Sequence, residues 1–284
     1  MGRMTTASMK RAANAAPGAQ ACARPWLAPL ALAVLALACP PAARAQFGAL
    51  PNTTSTVGRA IAPQDFTGYW VAVITEDWRY RMLTPDKGDF QGVPLNAAGR
   101  RILNEWDPAE DEARGEQCKS YGGAAIMRIP TRLHIYWVDG QTLRVDTDAG
   151  EQSRTFHFGG TAPPDATPSW QGYSVADWEG LRARAFGGVA AGLRTGAPEP
   201  EGYLKVMTSE LRPGYLRKNG VPYGPQTTVE EYFDGFKEPN GDRWLVVTTI
   251  VHDPEYLNEP FVTSSQFKRI PDGSGWHPSA CAAR

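Results

Sequence analysis

Histidine and cysteine are scarce in this chain, with four of each in 284 residues, and none falls into a His-x-His, His-Glu-x-x-His or paired-cysteine spacing. No metal and no cofactor is implied by local motif, which leaves only a convergence of Glu76, His134 and His252 in space as a metal-binding alternative. A Gly-x-Gly-x-x-Gly after a strand, a Gly-Lys-Ser/Thr phosphate loop and a Gly-x-Ser-x-Gly elbow are also missing, which disfavours nucleotide use and α/β-hydrolase chemistry. Long apolar runs are missing too. The run from Trp26 to Ala38 is too short to span a bilayer, and no later one is long enough, so no membrane partner is expected after the leader is removed. Of the 29 Lys and Arg, five lie in the first 45 residues, which hold no acid; that leaves 24 against 30 Asp and Glu, a formal charge near −6. Such a balance argues against nucleic acid as a partner.

What is present begins with an export signal. Arg3, Lys10, Arg11 and Arg24 make a basic leader, the apolar run follows, and Ala43-Arg44-Ala45 supplies a small-x-small cleavage pattern. Residues 1–45 are read as the signal, with Gln46 as the mature N-terminus and a periplasmic or secreted location. Anchoring as a lipoprotein at Cys39, after Leu37-Ala38, is the competing reading. Export leaves Cys118 and Cys281 as an even pair in an oxidising compartment, so a disulfide tying the C-terminal tail to the body is expected, with two free buried thiols as the alternative.

Residues 46–64 are Pro, Thr, Ala and Gly without period, a loose lead-in. One domain is expected over 65–284. Gly68 to Trp78 alternates in a strand-like way, placing Gly68, Trp70, Ala72, Ile74, Glu76 and Trp78 on one face. Between Pro85 and Gly123 the signals turn helical, concentrated near 95–118, with Asn96 able to cap a turn into Arg100-Arg101-Ile102-Leu103 and Asp107-Pro108 a helix start. Strand patterns resume at Ala125 to Ile129, Arg132 to Val138, Thr142 to Thr147 and Ser153 to Phe158. A loop and helix insertion is expected near 159–202, with a short helix from Ser174, where Asp177 completes a capping box, and a mobile loop from Gly187 to Glu201. Strands follow at Tyr203 to Leu211, Thr227 to Phe236, Arg243 to His252 and Phe261 to Arg269, with Pro239-Asn240-Gly241-Asp242 as a hairpin turn. About eight strands imply an all-β, up-and-down antiparallel barrel with minor α insertions.

Gly68-Tyr69-Trp70 in an early strand, with mostly antiparallel strands after it and a basic residue closing the last one, resembles the calycin or lipocalin barrel. The chain is also similar to exported bacterial proteins described only as lipocalin-like. The resemblance implies that Trp70 packs at the closed end of the barrel, beneath Lys268 or Arg269. Nine tryptophans are many for this length, and a lumen lined partly by indoles suits a small hydrophobic or aromatic molecule bound in the barrel cavity, with simple core filling as the alternative. The insertions near Pro85 to Gly123 and after Gly159 depart from the family pattern and offer lids over the mouth.

Glu76 lies six residues beyond Trp70, roughly 20 Å at about 3.3 Å per residue, which puts it near the mouth with Trp78, Arg79 and Arg81. There it is a general base or ligand anchor, or else a rim ion pair with Arg79 or Arg81. Arg132, His134 and Tyr136 share one face of a strand that lines a cavity or faces solvent. His252 ends an apolar run beside Asp253-Pro254, as a proton shuttle or a structural histidine. Between Leu211 and Tyr223, Arg212 and Arg217 can hold a carboxylate or phenolate on a ligand. The alternatives to a carrier are a lyase, dehydratase or isomerase that moves protons through Glu76, His134 or His252, and an envelope interaction protein with a packed barrel.

Overall fold

The computed structural model describes residues 58–180 and 202–284. The leader, Cys39, the Ala43-Arg44-Ala45 site, residues 46–57 of the lead-in and the Gly187 to Glu201 segment lie outside the described residues. β1 (Gly68–Val73) runs into a single helical turn, α1 (Trp78–Arg81), and α2 (Ala97–Glu105) and α3 (Pro108–Ala113) follow. β2 (Arg132–Trp137), β3 (Thr142–Thr147) and β4 (Ser153–Phe158) form a meander, and β5 (Tyr173–Glu179) and β6 (Tyr203–Ser209) continue the wall. β7 (Gly214–Arg217) and β8 (Val221–Tyr223) make a separate hairpin before β9 (Thr228–Lys237), β10 (Arg243–His252) and β11 (Phe261–Ile270).

Nine strands close a barrel in the order β1-β11-β10-β9-β6-β5-β4-β3-β2. The expected barrel of about eight antiparallel strands is thus corrected to nine with one parallel pair, Phe156 of β4 opposite Ser174 of β5. The two corrections are linked, because an odd number of strands cannot alternate direction all the way round a closed wall. Residues 159–172 carry the chain back to the end where β4 began, so β5 repeats its direction.

Four local expectations also change. The segment from Ser174 is a strand: Ser174, Ala176 and Trp178 are buried while the residues between them are more exposed, and pairing on both sides outweighs the local capping pattern. Ala125 to Ile129 is no strand but a 3₁₀ turn, Ile126–Arg128, whose Ile126 and Met127 join the barrel core. The first strand stops at Val73, and Asp77, at a left-handed φ of 51°, turns the chain into α1. Packing also begins before Asp65: Ala62 packs against the core, and Gln64 Oε1 accepts from Gly235 N at 2.9 Å.

The helix starts stand as expected, with Asn96 accepting from Gly99 N and Asp107 from Ala109 N, both at 2.9 Å. Cys118 and Cys281 are joined in a disulfide, compatible with an oxidising compartment.

The strands point alternate residues inward, and the base of the barrel is filled by large apolar side chains. Trp70 is 1% exposed, its indole donates to Phe66 O at 2.8 Å, and the Arg269 guanidinium lies 5.7 Å over its ring. Lys268 instead reaches Asp242. Phe156 and Phe233 meet edge to face higher up. Above them a buried ion pair crosses the lumen: Arg154 donates to both oxygens of Glu231, at 3.0 and 2.6 Å, and to Thr208 Oγ1 at 3.3 Å. Over the mouth, α2 and the β7–β8 hairpin carry a second apolar cluster that includes Leu103, Leu216 and Tyr223.

Candidate functional site

Asp77 is where the mouth site begins. Its left-handed turn sends α1 off the end of β1, and its carbonyl accepts from Tyr80 N and Arg81 N. Arg81 is thereby turned inward and buried, while Arg79, two residues and so about half a turn earlier, faces out to pair with Asp89 at 3.2 Å. Arg81 donates through Nε to Arg128 O at 2.9 Å and through Nη1 to Glu76 at 2.8 Å. Arg128, delivered by the 3₁₀ turn, donates to Asp77 Oδ2 at 3.0 Å.

The β7–β8 hairpin brings the third guanidinium. Asn219 at its tip donates to Asp86 O and Asp89 O, at 2.9 and 2.7 Å, which clamps the hairpin against the chain that follows α1. Arg217 then stacks 4.2 Å over the Tyr80 ring, and Tyr80 is fixed through its hydroxyl to Gln91 at 2.7 Å. Arg217 is 5% exposed, its Nε and Nη1 have no hydrogen-bond partner, and among the described residues no carboxylate lies within ion-pair distance of it. Arg81 Nη2 is likewise buried without a partner. Burial, followed by the Arg128 charge, pulls the Arg217 guanidinium down to about 10. Burial and then Arg128 also lower Arg81, with Glu76 working against them.

These groups wall a cavity of about 300 Å³ beside the barrel mouth. Among the described residues its lining carries four cations, Arg81, Arg128, Arg217 and Lys218, and no carboxylate. Tyr121, Ile129 and Leu216 add apolar surface. A buried guanidinium costs several kcal/mol unless paired; Arg81 and Arg128 have Glu76 and Asp77, whereas Arg217 has the Tyr80 ring.

The other residues singled out by sequence are elsewhere. Arg132, His134 and Tyr136 lie on the outer wall: His134 stacks on Tyr69 at 4.2 Å with Trp276 at its edge, Arg132 reaches Asp148 at 3.3 Å, and Tyr136 donates to Asp146 at 3.1 Å. His252 is on the outer face of β10, 3.9 Å from Glu230. Arg212 lies over the Trp170 ring and 3.5 Å from Glu116, and Trp78 is exposed. Glu76 therefore meets Arg81 and not His134 or His252, and among the described residues no three His, Cys, Asp or Glu are grouped as a metal site.

Arg128 and Tyr80 were not legible as site residues. The signal for Arg128 was its place inside the apolar run Ile126-Met127-Arg128-Ile129, where an arginine is expensive unless it has work to do. Comparison with protein-family models, with curated proteins and with solved structures finds no match for this chain.

Proposed function

We propose that this protein is an exported, calycin-like binding protein that takes a small anionic molecule with an apolar or aromatic body. Its site is the arginine-walled cavity at the covered mouth, because the lumen below is occupied by packed side chains and the Arg154–Glu231 pair. One observation carries the reading: among the described residues Arg217 is buried with two unpartnered donors in a cavity whose lining holds four cations and no acid. A phosphate or carboxylate seated there meets donors already paid for in folding.

Export is proposed from the leader and from the Cys118–Cys281 bond. Native mass spectrometry of the protein taken from its own cell envelope tests the whole reading. A co-purifying anion that is lost from Arg217→Met supports it. If calorimetry finds no binding of inorganic phosphate or of benzoate by the parent at millimolar concentration, the site is a structural cluster and the proposal fails.

A further inference from the structure

The cavity does not end at its cationic wall. Met82 and Leu83 line it and are nonetheless 56% and 61% exposed, and Trp78, one helical turn before Met82, is 63% exposed. Three large apolar side chains within six residues are thus exposed, two of them lining the cavity and the third one helical turn away. Ile129 and Pro130 add further apolar lining. A compact anion would satisfy the guanidinium groups and leave this patch in water.

We infer that the ligand is an anionic amphiphile, with its charged head held by Arg81, Arg128 and Arg217 and its apolar tail leaving past Met82 and Leu83 to lie against Trp78. The inference rests on the anion-binding reading of the same cavity and adds that the apolar part is a tail and where it lies. Two features on the surface favour a tail over a folded partner. The exposed apolar residues belong to one short segment that reaches the cavity through Met82 and Leu83, and Arg79, next to Trp78, is already paired with Asp89.

Titration of the full chain with butyl, hexyl and octyl phosphate, each below its micelle-forming concentration, tests this. Affinity is expected to rise roughly threefold to fourfold per methylene until the patch is covered, while octanol, which lacks the head, binds far more weakly than octyl phosphate. Trp78→Ser, an exposed change that spares the fold, is expected to weaken octyl phosphate about tenfold and butyl phosphate much less. Affinity independent of chain length, with inorganic phosphate still bound, overturns the amphiphile and leaves the anion site standing. A chain-length gain that survives Trp78→Ser puts the tail elsewhere and overturns its placement. Binding to phosphatidylglycerol vesicles without binding to monomeric octyl phosphate assigns the patch to a bilayer and also overturns the proposal. Loss of every interaction, inorganic phosphate included, removes the site itself.

Discussion

Arg154 and Arg217 are buried to nearly the same degree and differ in what faces them. Arg154 meets the carboxylate of Glu231 inside the barrel, both side chains wholly covered, whereas Arg217 stacks on the ring of Tyr80 and feels Asp77 and Asp89 without bonding to either. Removing one member of the first pair strands the other, so Glu231→Ala is expected to cost about 3–5 kcal/mol in urea denaturation, and Arg154→Met with Glu231→Met to recover most of it. Arg217 has no such partner to strand. Arg217→Met should hold or raise the urea midpoint while lowering phosphate affinity at least tenfold by calorimetry. The pH dependence has a definite sign. The guanidinium sits near 10, below the ordinary arginine value, so the cost of its burial is present below that pH and fades above it. Anion affinity should accordingly be level to pH 9 and fall as pH rises through 10, which a binding isotherm at each pH would check.

Among the elements, strands announced themselves best where one face is buried. β2, β3, β4 and β10 fall within a residue of the positions their alternation predicts, because a slip of one residue would turn every inward side chain to water. β5 was hidden since Ser174 and Asp177 also spell a helix start, and only pairing with β4 and β6 decides between them. The site was half legible for a similar reason. The charged run at Glu76 to Met82 marks the mouth, and Arg217 was visible in its hairpin, yet the partner that matters, Arg128, arrives on a 3₁₀ turn that looks like a strand in isolation. The C-terminal tail is the element most dependent on one bond. Cys118 and Cys281 are 163 residues apart in sequence, so Cys118→Ser with Cys281→Ser is expected to lose about 2–5 kcal/mol. Limited proteolysis should then cut within residues 271–284, which the oxidised parent resists.

At the scale of the whole molecule the expected outcome concerns where the chain goes. If it is exported as proposed, N-terminal sequencing of the envelope fraction should return Gln46, and non-reducing electrophoresis should show Cys118 and Cys281 already bonded. The wall has one further property. β1 is held on one side by β2 and on the other by β11, with Tyr69 opposite Ile270, about two hundred positions later. Contacts so distant in sequence form slowly, since the loop they close must be ordered before they repay it. β1 can pair early with β2, but the wall closes only when Phe261–Ile270 is present, so the seam between the first and last strands is expected to be the last part of the barrel to form.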